Sequence, residues 1–218
     1  MGSIKLLPIH PLVRNMIGRV FTFWFDVMTT LMYLACRIHM PPARGSGKSS
    51  QQAAQSDLCA QLVPKLLTLD SCGPRFDPAA LYAVFDELPA VKSDEMVGRH
   101  YRGAVVHHGG LLSGVDRTLV RALVKLGGWW GKCYQGHYSG HPLVLRLGSY
   151  ALPVPVWGNV CMLNMEHRGR PAVATMVYDS HPWKDYFVRL GDRDGKPVLL
   201  GVWETHGALG GFFTLTEE

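Results

Sequence analysis

The chain has 218 residues, 47% of them hydrophobic and 18% charged, with a net charge of +5. That length and apolar content exclude a disordered chain and suit one domain with appendages; 24 glycines and 14 prolines without a period exclude a collagen-like repeat. The charge also excludes a basic nucleic-acid-binding face: Lys5, Arg14, Arg19, Arg37, Arg44 and Lys48 against Asp26 and Asp57 place +4 of it in residues 1–57, and no Arg/Lys cluster marks the rest.

Residues 1–40 read as an N-terminal hydrophobic, amphipathic helix. Within 20–36 the apolar side chains are nearly continuous, while Arg19, Thr22, Asp26, Thr30, Tyr33 and Arg37 recur every three or four positions and form one polar stripe. A helix over 20–36 would be about 25 Å long, at the lower limit for a bilayer span. Asp26 sits near its middle, where a charge is costly. Three arrangements stay open: a helix lying in the membrane interface, a marginal span, and a helix packed on the protein's own body. The first is favoured, so the expectation is a cytoplasmic protein associated with a membrane surface through residues 16–39.

Residues 41–57, PPARGSGKSSQQAAQSD, have linker composition and are predicted to be irregular. Gly45-Ser46-Gly47-Lys48-Ser49 has the look of a phosphate-binding loop, but Pro42 stands where its first glycine is required. Five cysteines without C-x-x-C spacing point to free thiols in a reducing compartment rather than to zinc or a disulfide framework.

Residues 58–218 carry the folded domain. Asp77-Pro78 is a helix cap followed by proline at the first helical position, and it starts a helix over Ala79–Leu88. A second helix is predicted from Val115 to Leu126, ended by Gly127-Gly128. Strands are predicted over Arg99–His108, Trp129–Tyr134, Leu143–Tyr150, Trp157–Met165, Pro171–Asp179, Asp185–Leu190, Pro197–Glu204 and Gly211–Thr216, with turn signals between them. The fold expected is mainly β: a lipocalin-like, antiparallel up-and-down β-barrel of about eight strands with two or three helices, able to enclose one small ligand. The alternative is an open curved sheet with helices on one face.

Chemistry concentrates in Val177–Phe187, where Tyr178, Asp179, His181, Lys184 and Asp185 could supply acid and base at a rim between two strands. Asp179-Ser180-His181-Pro182 is equally good turn chemistry. Period-two alternation sets Trp130, Lys132 and Tyr134 on one wall, and Trp157, Asn159, Cys161 and Leu163 on another. Lys132 among aromatics would act as an acid, base or carbonyl-polarising group, pair with Asp179 or Asp185, or extend outward as a plain surface lysine. The ten histidines show no ligand spacing, and neither a G-x-S-x-G elbow nor a dinucleotide fingerprint occurs. No metal and no cofactor are therefore expected.

The helix Ala80–Leu88, the run Met96-Val97-Gly98 to Tyr101-Arg102-Gly103, and the later Trp130-Gly131-Lys132, Val177-Tyr178-Asp179 with Pro182 and Asp185, and Leu200-Gly201-Val202-Trp203 together resemble the GXWXG-domain family with its companion C-terminal domain of unknown function 4334. The resemblance covers residues 78–216, with Tyr101 at the tryptophan position and Arg99 at that of the first glycine. It implies a compact barrel-like domain and no particular reaction. The function expected is a cofactor-independent isomerase, cyclase or lyase acting on a polyketide- or terpenoid-like metabolite. Asp179 or His181 would be its base, and Tyr178 or Lys132 the donor to a developing oxyanion. Trp130, Tyr134, Asn159, Trp203 and Asp185 would contact the ligand. The alternative is a membrane-associated protein that binds a lipid or other hydrophobic small molecule without transforming it.

Overall fold

The structure, a computed structural model, describes residues 5–6, 10–13, 15–20, 23, 27, 49–69, 74–107, 129–147, 150–154, 160–205 and 208–218. The strands are β1 (Lys5–Leu6), β2 (His100–Val106), β3 (Trp129–Gly136), β4 (Ser139–Leu147), β5 (Tyr150–Val154), β6 (Val160–His167), β7 (Arg170–Tyr178), β8 (Trp183–Arg193), β9 (Lys196–Thr205) and β10 (Ala208–Glu217). They form one sheet in the order β1-β5-β4-β3-β2-β10-β9-β8-β7-β6. All neighbours are antiparallel except the short β1, which pairs parallel with β5.

The sheet does not close, and the expected barrel is corrected to an open, curled sheet. The first and last strands of the meander, β2 and β10, do pair, as an up-and-down barrel requires. The opening falls instead between β5 and β6, which follow one another in sequence. Two features of β5 oppose a ladder there. It is short and contains Pro153, which has no N–H to donate, and its outer edge is taken at Tyr150 and Ala151 by β1. On the facing edge, the Met162 N–H goes to the His137 carbonyl in the β3–β4 turn, at 2.7 Å.

Alternation gives the sheet two apolar faces. Tyr101, Tyr134, Leu143, Leu145, Leu152, Val154, Val160, Met162, Met176, Tyr178, Trp183, Phe187, Leu199, Phe213 and Leu215 are buried together on the inner, concave side. Ala104, Val106, Val173, Tyr186, Val188, Val198, Leu200, Val202 and Phe212 lie on the outer side, under two helices. These helices are α1 (Ser49–Leu67) and α2 (Pro78–Glu87). Asp77 caps α2 as expected, its carboxylate accepting the Ala80 N–H at 3.0 Å, and Leu81, Tyr82, Val84 and Phe85 form the buried side of α2. α1 begins at Ser49, inside the stretch predicted to be irregular. What holds it is the apolar face Leu58, Leu62, Val63, Leu66 and Leu67, which recurs at helical spacing and packs on the outer cluster. A third, one-turn helix, α3 (Ser93–Met96), sends Met96 into the inner cluster. The helix predicted at Val115–Leu126 lies outside the described residues.

The membrane association expected of residues 16–39 is also corrected. Among the described residues no helix is long and apolar enough to cross a membrane. The described part of the N-terminal segment is helical at 11–13, 15–20, 23 and 27. There Ile17 packs against the inner cluster and Gly18 is buried.

One irregularity decides which side chains enter the concavity. In β3, Trp129 faces Leu145 and Gly131 faces Val144, so two residues oppose one and the strand bulges. Trp129 consequently packs against the inner cluster beside Lys132 and Tyr134, and Trp130 turns to the opposite face with Cys133 and Val144. The expected wall of Trp130, Lys132 and Tyr134 is thus a wall of Trp129, Lys132 and Tyr134. At the bulge Gly131 presses on β2, and a Cβ there would lie 1.8 Å from the Tyr101 carbonyl oxygen. Gly131→Ala should therefore lower stability by about 2 kcal/mol or more, read as a lower urea midpoint. An unchanged midpoint would mean that β2 and β3 do not approach this closely.

Candidate functional site

Lys132 comes from β3 and Asp185 from β8, with β2, β10 and β9 between them in the sheet. On a flat sheet they would be roughly 19 Å apart, at about 4.8 Å per strand. The curl brings the Lys132 Nζ to 2.7 Å from the Asp185 Oδ2. The Tyr178 hydroxyl, at the end of β7, donates to the same Oδ2 at 2.7 Å and lies 3.3 Å from the Lys132 Nζ. Neither bond to Asp185 uses Oδ1. All three residues are buried, with relative exposures of 5%, 1% and 5% for Lys132, Asp185 and Tyr178. Each charge therefore depends on the other rather than on water.

The surroundings are aromatic and sulfur-bearing. The Lys132 Nζ stands 5.0 Å from the Phe213 ring centroid and 3.9 Å from the Met176 Sδ. The Tyr134 hydroxyl points at the same sulfur, at 3.8 Å. Trp183 packs edge-on to both Tyr178 and Trp203, and Trp129 packs edge-on to Phe213. Two glycines make room for these rings. A Cβ on Gly201 would meet the Phe213 ring at 2.4 Å, and one on Gly103 would meet the Trp129 ring at 2.4 Å. Trp129 and Trp203 are only half-buried and give the cluster its accessible aromatic surface.

The structure thus brings Lys132, Tyr178, Asp185, Tyr134 and Trp203 together. Trp130 is on the other face, and Asn159 lies outside the described residues. Asp179 is exposed in the turn after β7. His181 is in the same turn, its ring tilted over Trp183 at 4.3 Å and its Nδ1 2.8 Å from the Ser180 Oγ. Neither joins the buried group. Sequence reasoning missed Trp129, Trp183, Met176 and Phe213. A period-two reading from Trp183 through Asp185 to Phe187 would have found Trp183 on the same face as the aspartate, and the bulge hid Trp129.

A second polar group lies on the outer face, under α2. There the Glu204 Oε1 accepts from the Tyr82 hydroxyl at 2.9 Å and lies 3.0 Å from the His167 Nε2. The His167 ring stacks on Tyr186 at 3.8 Å. Beside it, Arg168 makes a two-pronged pair with Asp86 and lies over the Tyr82 ring. These contacts tie α2 to the sheet. Among the described residues, no three His, Cys, Asp or Glu side chains are grouped as metal ligands would be.

Neither functional reading drawn from the sequence is retained. The isomerase, cyclase or lyase needed a closed barrel around its metabolite, and the sheet is open. The membrane-associated carrier is set aside with the membrane association itself: among the described residues no helix is long and apolar enough to cross a membrane, and Ile17 packs against the inner cluster. No family model matches the chain, and no curated protein matches it. Among solved structures, the crystal structure of a protein from Thermomonospora curvata is similar, with a TM-score of 0.56 and 25% sequence identity over 74% of this chain and 99% of that chain.

Burial raises the hydroxyl pKa of five tyrosines. The nearby Asp185 carboxylate adds to the rise at Tyr178 and Tyr134, and Glu204 adds to it at Tyr82 and Tyr186. Tyr186 reaches about 12, and Tyr101 is also raised, mainly by burial. An unfolded chain ionises its phenols near pH ~10. The folded state still holds these protons there, so their contribution to stability is whole below pH ~10 and is lost as pH rises through the higher folded values. In an alkaline titration, phenolate absorbance from these five should appear together with loss of near-UV circular dichroism. Reversible ionisation of all tyrosines in a chain that stays folded would contradict their burial.

Proposed function

We propose that this protein binds a small planar organic molecule carrying a carbonyl or carboxylate oxygen, on the inner face of the open sheet. The observation that carries the reading is the buried Lys132–Asp185–Tyr178 group. Taking a lysine and an aspartate out of water costs several kcal/mol per ion before their attraction is recovered, and apolar residues fill such a volume at least as stably. A requirement for a cation and a phenol donor side by side accounts for keeping them. The Lys132 Nζ has a third N–H beyond those directed at Asp185 and Tyr178, and the Tyr178 hydroxyl, 3.3 Å away, can turn its proton from Asp185 to the same ligand oxygen. The half-buried indoles of Trp129 and Trp203 offer flat apolar surface for the remainder of the molecule. Membership of the GXWXG family is proposed alongside this reading without adding to it: Lys132, Tyr178, Asp185 and Trp203 belong to the motifs that carry the resemblance, and the resemblance implies no ligand.

The test is a tryptophan-fluorescence titration with 1-naphthaldehyde, 1-naphthoate and naphthalene. The two oxygenated probes should bind saturably and roughly tenfold or more tighter than naphthalene, the worth of one charge-assisted hydrogen bond. The paired variant Lys132→Met with Asp185→Leu leaves no buried charge unmatched, and it should remove that preference while keeping the near-UV spectrum. Equal binding of all three probes, binding of none, or an unchanged preference in the paired variant would overturn the reading.

A further inference from the structure

We infer that Lys132 condenses with an aldehyde or ketone to form an imine, with Asp185 and Tyr178 carrying the protons. This rests on the binding reading above and goes beyond it to a covalent step. A lysine amine attacks a carbonyl in its unprotonated form, and a proton acceptor and a proton donor placed beside it speed the step. Lys132 has both. The Asp185 Oδ2, at 2.7 Å, takes a proton from the ammonium group, and the Tyr178 hydroxyl lies 3.3 Å from the Nζ and 2.7 Å from that same Oδ2.

The steps balance within these three groups. The ammonium of Lys132 passes one proton to Asp185, and the freed Nζ pair forms a C–N bond as the carbonyl π pair moves to oxygen. Tyr178 protonates that oxygen and recovers its proton from Asp185. The new ammonium centre then gives a proton to Asp185, which returns it through Tyr178 to the departing hydroxyl. Water leaves as the C=N bond forms. The product is a protonated imine facing the Asp185 carboxylate, with the same net charge as the starting lysine and with no oxidant or reductant consumed. Burial and the Asp185 charge hold the Tyr178 pKa well above its ordinary value, which keeps the phenol protonated and able to donate. Phe213, Met176 and Tyr134 pack around the group, so the new C=N bond would form among aromatic and sulfur-bearing side chains.

The experiment incubates the full chain with 1-naphthaldehyde and cyanoborohydride near neutral pH and maps the reduced adduct by peptide mass spectrometry. Lys65 and Lys92, both exposed, serve as internal controls. Labelling of Lys132 more than tenfold above Lys65 and Lys92 is expected, saturating with naphthaldehyde and competed by naphthoate. Tyr178→Phe at saturating aldehyde should slow Lys132 labelling by roughly 10²-fold, the usual worth of one proton-transfer group. Saturable binding of both probes with Lys132 unlabelled, or labelled no faster than Lys65, overturns the imine and leaves the binding reading standing. Failure of both probes to bind overturns the binding reading and the imine with it.

Discussion

The ion pair between Lys132 and Asp185 is the interaction on which the inner face depends. It spans the concavity between strands that are not neighbours, so it exists only because the sheet curls, and it braces the curl once formed. The pair is charged and nearly dry, so its strength is that of a low-dielectric contact and its loss on one side only leaves a stranded ion. The Tyr178 hydroxyl completes the group by binding the carboxylate that the lysine also binds. The bulge at Gly131 sets the faces of β3 so that Lys132, Trp129 and Tyr134 point inward together. Gly201 and Gly103 leave space for the Phe213 and Trp129 rings that wall the lysine.

The outer face works differently. Helices α1 and α2 cover it mainly by burial of aliphatic side chains, and polar contacts fix where α2 sits. Glu204 accepts from Tyr82 of α2 and meets His167 of β6, and Asp86 of α2 holds Arg168 in the turn that follows β6. Arg170 donates to the Phe85 and Leu88 carbonyls near the end of α2, which lack partners further along the helix. One side of the sheet is therefore a closed, helix-covered core. The other carries a buried charge pair next to half-exposed indoles, the features on which the proposed ligand site rests.

Much of this was legible from the chain. The Asp77-Pro78 helix start is local chemistry, and the strands of the later half follow from alternation and turn residues that lie close in sequence. Lys132 stood out as a cation among aromatics, with Asp185 named as one of two partners. What the sequence did not reveal was non-local or depended on a single-residue offset. Barrel closure hangs on whether β5 and β6 form a ladder, and that is decided by where Pro153 and β1 fall in space. The position of Trp130 hung on a bulge, because one extra residue in β3 reverses every face before it. Asp179 and His181 were attractive because they crowd together in sequence, yet the first residues past a strand end are the ones that reach solvent. Asp185, three residues into β8's inward register with Trp183, is the carboxylate that goes inside. α1 was masked by its polar first half, although Leu58, Leu62, Val63 and Leu66 already had helical spacing.

The most direct test of the brace is a double-mutant cycle on Lys132→Met and Asp185→Leu, read by urea unfolding. Each single change should cost about 3–5 kcal/mol, because it strands the opposite charge inside the curl, while the two together should cost less than either alone. Additive costs, or single changes that cost under about 1 kcal/mol as at an exposed pair, would show that Lys132 and Asp185 do not meet across the sheet.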